Sequence, residues 1–229
     1  MSIKNKVLAV AATMTMVGGA SVVGLLPAQA ATPSCGTGCA EGYGLEYGSP
    51  FVWDVLRQGE KVNQPIILFR ASNADPAEDF TISATGLVST FGVLSTAVST
   101  TYADDTAFEW EYSPYGVDSG LCIGVGAAAA VDNTPVELEP CGVSANTVWI
   151  DDSGATVVAT PLAGVTTEPL INGSGTNFDT PYVLHYPGSA YPTDMPRVPL
   201  TTYTLQRYSA GAVYDNEVWS TELGTPALP

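Results

Sequence analysis

The chain reads as an all-β protein made of three copies of one unit closed around a shared interior, and three observations carry that expectation. A tetrapeptide recurs: Asn146-Thr147-Val148-Trp149 returns as Asn216-Glu217-Val218-Trp219, seventy residues on. A longer block recurs at the same offset, with Asn63-Gln64-Pro65-Ile66-Ile67-Leu68 over Asn133-Thr134-Pro135-Val136-Glu137-Leu138 and Phe51-Val52-Trp53-Asp54-Val55 over Leu121-Cys122-Ile123-Gly124-Val125. Beyond Tyr43, short runs rich in Val, Thr, Ile, Tyr and Trp alternate with Gly, Pro, Asn and Asp, while helical periodicity is almost absent. A repeated unit of this size cannot bury its apolar face alone, so its copies must pack on one another.

The elements follow in chain order. Residues 1–30 read as a secretory signal peptide: Lys4 and Lys6 start it, an uncharged apolar stretch spans 7–26, Pro27 breaks it, and Ala28-Gln29-Ala30 forms a cleavage signal. A membrane anchor is the rival reading of so apolar a stretch, but three glycines within it and the cleavage residues after it weigh against one. Residues 31–42 form a small-residue, Gly-rich tail holding a Cys35/Cys39 loop, and the folded domain occupies 43–225. Strands are expected over 62–69, 108–112, 136–138 and 182–185. The stretch 85–102 is ambiguous, with a composition that suits strands or a long loop. Residues 187–199 hold four prolines and should form an irregular loop or sheet edge. A third, weaker copy begins at Pro181-Tyr182-Val183-Leu184, continues at Pro199-Leu200 and closes at Trp219, which divides the domain into units 43–113, 114–178 and 179–224. The closing aromatics Phe80, Trp149 and Trp219 should then plug one core near a pseudo-threefold axis.

Composition excludes several functions. The chain carries 23 acidic and 7 basic residues, a formal charge of −16, and removal of Lys4 and Lys6 with the signal takes it to −18. Phosphate backbones need clustered Lys and Arg, so nucleic acid is not expected as a partner. Anionic membrane surfaces are disfavoured for the same reason, and no segment after the signal is long and apolar enough to insert. The single histidine, His185, leaves a Ser-His-Asp triad thin support, and no nucleophile elbow, zinc-protease, phosphate-loop or dinucleotide motif appears. The carboxylates Asp104, Asp105, Glu109 and Glu111 suggest glycoside chemistry only by their closeness in sequence. The expectation is therefore a non-enzyme, with no cofactor and no metal. Four cysteines allow three connectivities. Local pairs, Cys35 with Cys39 and Cys122 with Cys141, are expected over a thiolate metal site, which would want further Cys or His ligands.

Repeat two orders its residues as Leu121-Cys122-Ile123-Gly124-Val125, Val136-Glu137-Leu138, Cys141-Gly142 and Trp149. In that order the chain resembles the ricin-type β-trefoil lectin family, well over 114–150, moderately over 46–80 and poorly over 179–224. The resemblance implies a β-trefoil with enlarged loops, a within-repeat disulfide Cys122–Cys141, and carbohydrate as the ligand. It maps the family's sugar-binding positions in repeat one onto Asp54, the aromatic Phe69, the polar Asn73 and, at the Gln of Gln-x-Trp, Glu78. Their chemistry is apt: a carboxylate accepts from vicinal hydroxyls, an aromatic face covers the C–H face of a ring, and an amide fixes orientation. The alternative is that Asp54 is an exposed strand residue, Phe69 packing and 73–76 an ordinary turn. Repeat two departs from the pattern, with Gly124, Glu139 and Thr147 at the site positions, and repeat three offers His185 or Tyr186 where the Asp would stand. Two functions stay open: an extracellular lectin-like module acting at a cell surface or wall, and an adaptor that joins other secreted proteins. The adaptor reading uses the tail residues Cys35, Gly36, Thr37, Gly38 and Cys39 as a docking element. The chain is faintly similar to the small linker subunits of secreted umbrella-shaped toxin particles.

Overall fold

A computed structural model describes residues 40–44, 51–70, 75–152, 168–186, 198–206 and 215–223. The expected signal peptide, the Cys35/Cys39 loop with Gly36, Thr37 and Gly38, and Asn73 lie outside the described residues. Among the described residues there are thirteen strands: β1 (Ala40–Gly44), β2 (Phe51–Val55), β3 (Ile66–Arg70), β4 (Phe80–Leu87), β5 (Thr106–Tyr112), β6 (Leu121–Val125), β7 (Val136–Pro140), β8 (Trp149–Asp151), β9 (Leu170–Asn172), β10 (Tyr182–His185), β11 (Val198–Pro199), β12 (Thr201–Thr204) and β13 (Trp219–Leu223), with one short α-helix, α1 (Thr96–Thr101).

The strands close into a ring. Antiparallel pairing runs β1–β4–β5–β8–β9, and β13 returns to pair with β1. The last gap is sealed by a reciprocal pair of backbone bonds, Glu168 N–H to Trp219 O at 2.9 Å and Trp219 N–H to Glu168 O at 3.0 Å. Three hairpins cap this barrel: β2 with β3, β6 with β7, and β10 with β12. Each hairpin bridges to the next at one repeated position, Pro65 with Glu137, Pro135 with Thr201, and Pro199 with Ile67. Within that ring, Val136 N–H donates to Leu200 O and Leu200 N–H to Ile66 O, both at 3.0 Å. A barrel closed by pairs of strands from three copies and capped by three cyclically linked hairpins is a β-trefoil.

Alternation explains why these segments pair. In β5, Phe108, Trp110 and Tyr112 turn into the central core, while Ala107 packs in a second apolar cluster and Glu109 and Glu111 reach loop backbone. The central core gathers Phe80, Trp149 and Trp219, each no more than 1% exposed, with Trp53, Trp110 and Tyr112. Trp149 Nε1–H donates to Ile123 O and Trp219 Nε1–H to Leu184 O, each at 2.9 Å, so the closing aromatic is pinned to the same place on the opening strand. Repeat one solves the volume differently. Its closing Phe80 is smaller, and Trp53 fills the place held by Ile123 and Leu184, meeting the Phe80 ring edge-on at 6.1 Å and Trp219 at 5.7 Å.

Several expectations are corrected. The units span 40–87, 106–151 and 170–223, with four strands in each of the first two and five in the third, where Leu200 separates β11 from β12, so β5 opens the second unit and β9 the third, although the expected division placed them at the ends of the units before. Ala40–Gly42, expected in the flexible tail, belong to β1 and pair with β13. The strand expected from residue 62 begins at Ile66, because Asn63 takes a left-handed turn at φ 62°. In 85–102 the strand ends at Leu87, and the rest coils and forms α1. Ser95 Oγ accepts from Val98 N–H at 3.2 Å to start that helix, and Leu94 and Val98 bury into the second cluster at helical spacing. Tertiary packing overrides the strand preference of these β-branched residues. The disulfide Cys122–Cys141 is present, with Cα atoms 5.0 Å apart.

Candidate functional site

The β2–β3 hairpin of repeat one carries a surface cleft of about 320 Å³. Asp54 pairs with Ile67 across the hairpin, and Phe69 lies two residues on, so these three share one face and line the cleft. Asp54 is 5% exposed and Phe69 half-buried, and both line the cleft. The expected Glu78 lies behind the cleft, fully buried. One carboxylate oxygen each from Asp54, Asp75 and Glu78 lie within 4.8 Å of one another.

Sequence reasoning missed three polar residues that line this cleft, Asp75, Arg57 and Gln58. Asp75 caps the 3₁₀ turn Pro76–Glu78: its Oδ1 accepts from Ala77 N–H at 3.0 Å and from Gln58 Nε2–H at 2.9 Å. The signal for it was the Asp-Pro pair, which marks a capped turn start. Arg57 and Gln58 adopt left-handed backbone at φ 59° and 54°, conformations that cost a non-glycine residue about 1 kcal/mol each. Leu56 N–H to Pro65 O at 3.1 Å and the Gln58–Asp75 bond hold that turn in place. The result puts an exposed guanidinium-bearing residue at the mouth of an acidic cleft.

The local field is negative. Burial pushes the Tyr112 phenol well above its usual value, and Glu60, Asp79, Asp54 and Asp75 add to it. The hydroxyl therefore stays protonated at neutral pH, and it is buried with no hydrogen-bond partner among the described residues. The hard oxygen donors Asp54, Asp75 and Glu78 are of the type a calcium ion takes, but each is already engaged in further interactions within the chain.

The other two repeats show what becomes of the same position. The Trp–carbonyl bonds align Ile123 with Leu184, which places Gly124 and His185 at the Asp54 position and excludes Tyr186, a core residue 5.6 Å from the Trp219 ring. In repeat two the space at Gly124 is tight: a Cβ would sit 3.0 Å from Thr147 Cγ2, 3.1 Å from the Asn146 carbonyl oxygen and 3.3 Å from Glu139 Cβ, so these neighbours would have to give by a few tenths of an ångström to admit a side chain. Thr147 is itself tied down, donating its hydroxyl to Glu109 Oε1. In repeat three the position is filled by aromatic packing. The His185 ring stacks on Tyr203 at 5.0 Å, and its Nε2 lies 2.9 Å from Asn216 Nδ2. Burial lowers the His185 pKa to about 4 against a weaker opposing pull from Asp132, so the ring is neutral at physiological pH and Nε2 accepts from the Asn216 amide.

No family model and no curated protein matches the sequence. Among solved structures, the chain is similar to the designed 3-fold symmetric protein ThreeFoil, at a TM-score of 0.51 and 15% identity over 80% of this chain and 97% of that one. It is similar to part of a mosquitocidal holotoxin at a TM-score of 0.51 and 8% identity, covering 82% of this chain but only 17% of the toxin. The Rhizoctonia solani agglutinin aligns at a TM-score of 0.48 and 14% identity, over 82% of this chain and 96% of that one. At these identities the likeness to ThreeFoil and the holotoxin speaks for the fold alone, and it agrees with the trefoil read from the strand pairing.

Proposed function

We infer that this chain is a secreted, non-enzymatic carbohydrate-binding module whose working site is the cleft of repeat one. The observation that carries the reading is an asymmetry. Asp54 and Phe69 converge on an open cleft, while the matching positions of repeats two and three are filled by Thr147 and Glu139 and by the His185–Tyr203 stack. A buried carboxylate beside an aromatic wall is what a pyranose needs, one side for paired hydroxyls and the other for its C–H face. Asp75 and Gln58 at the rim add an acceptor and an amide, and Arg57 adds donors.

A glycan array screened with the purified chain tests the reading. The wild type should bind a restricted set of glycans, with Asp54→Ala and Phe69→Ala each weakening binding. Loss of charge-assisted hydrogen bonds at Asp54 corresponds to about 2 kcal/mol, roughly a 30-fold loss. Binding to no glycan, or binding unchanged in both variants, overturns it. In that event, stoichiometric companions recovered with the secreted protein would support an adaptor instead.

A further inference from the structure

A second cleft lies away from the repeat-one hairpin, between the β4–β5 and β9–β10 connections, and encloses about 390 Å³. Its floor is apolar, made by Ile171 and Leu205, both members of the second apolar cluster. Tyr102, which follows α1, and Phe178, from the β9–β10 connection, form its aromatic walls; their rings lie 6.2 Å apart and cross at 60°. Asp179 and Asp152 complete the rim, and Asp105 stands close by, its backbone N–H donating to Tyr102 O at 3.0 Å. None of the described lining residues is basic.

We propose that this cleft binds an organic cation on an apolar stem, an ammonium or guanidinium group of the kind carried by a lysine or arginine side chain of a partner protein or by a free alkylamine. The floor and the two rings take the methylene stem out of water. A cation beside an aromatic face is attracted by the ring quadrupole. The rim supplies the counter-charge: Asp179 is exposed and accepts no hydrogen bond among the described residues. Asp152 is engaged in a further interaction, and the proposal needs only its charge. Burial, together with Asp152 and Asp105, raises the Tyr102 pKa to about 12, so the phenol is neutral and the ring adds no charge of its own. A pyranose fits less well, because its hydroxyls would lie unpaired against Ile171 and Leu205. An anion meets carboxylates, and a plain hydrocarbon gains nothing from them. The net charge of −16 draws cations towards the surface as a whole, and this cleft offers them an apolar seat.

The proposal stands independently of the carbohydrate reading. Its test is calorimetric titration of the full chain with n-pentylamine, with n-pentanol as the neutral counterpart of equal shape, and with a peptide displaying a single lysine. The amine should bind at least tenfold more tightly than the alcohol, and more weakly as salt is raised. Phe178→Ala and the milder Asp179→Asn should each weaken it at least fivefold, while Asp54→Ala leaves it unchanged. Peptide binding with the same variant pattern assigns the cleft to a partner's side chain; binding of the amine alone assigns it to a small amine. Equal affinity for amine and alcohol overturns the proposal. So does amine binding that survives both cleft variants, or that disappears with Asp54→Ala.

Discussion

Replacing Trp149 by Phe tests the threefold argument at one atom. The indole is 1% exposed, and its Nε1–H donates to Ile123 O at 2.9 Å. The substitution removes three heavy atoms from the core, worth about 2 kcal/mol at roughly 0.8 kcal/mol per methylene-sized group. It also takes the indole donor from a buried carbonyl, at about 1 kcal/mol. The sum, about 3 kcal/mol, lies within the range of large-to-small core changes. Trp219 is equally buried and donates to Leu184 O at the same 2.9 Å, so Trp219→Phe should cost the same. Urea unfolding followed by tryptophan fluorescence reads both, and with m near 2 kcal/mol per molar each midpoint should fall by about 1.5 M. A loss below about 1 kcal/mol in either variant would refute the packing argument. A difference between them above about 1.5 kcal/mol would refute their equivalence.

The disulfide and the buried histidine can each be tested by unfolding as well. Cys122→Ala with Cys141→Ala opens a loop of 19 residues, which should cost about 3 kcal/mol through the unfolded chain's regained freedom; a midpoint unchanged under otherwise identical urea titration contradicts it. His185 gives a pH signature. Its pKa is about 4 folded against 6.5 for the free side chain, so between those values the unfolded chain holds the extra proton. The stability from burying the neutral ring is complete above about pH 6.5 and is lost as pH falls towards 4. Subtracting the pH profile of His185→Gln from that of the wild type should leave this slope, and a flat difference between pH 4 and 7 rules it out.

Much of the fold was legible because its inward-facing positions repeat at a fixed offset. Trp149 and Trp219, and Pro65, Pro135 and Pro199, occupy matching places because each serves the same ring of contacts. The cuts between units were not legible, since β5 and β9 carry no repeated motif and a cyclic pattern has no marked beginning. Helix α1 was hidden because Thr96, Val98, Thr100 and Thr101 read locally as strand, whereas the Ser95 cap and the burial of Leu94 and Val98 against the barrel favour the helix. Of the candidate site, Asp54 and Phe69 could be placed because they ride on the repeat. Arg57, Gln58 and Asp75 could not, because they reach the cleft through a left-handed turn and a cap that belong to repeat one alone.

The contrast between inside and outside explains how one chain keeps its symmetry and loses it. An inward position is held by neighbours from other repeats: Trp53 touches Trp219 and Trp110 as well as Phe80. A change there strains a packed interior, so each copy must supply a compatible volume. Outward positions answer mainly to neighbours within their own repeat. At Gly124 the vacated space has been closed by Thr147 and Glu139, and Thr147 now serves Glu109, a residue of the barrel wall. A carboxylate introduced at Gly124 would press first on Thr147, whose hydroxyl is held by Glu109. At His185 the ring, Tyr203 and Asn216 satisfy one another. Among the described residues at this hairpin position, repeat one is the copy that leaves a carboxylate and an aromatic side by side on an open cleft, although the scaffold offers the position three times.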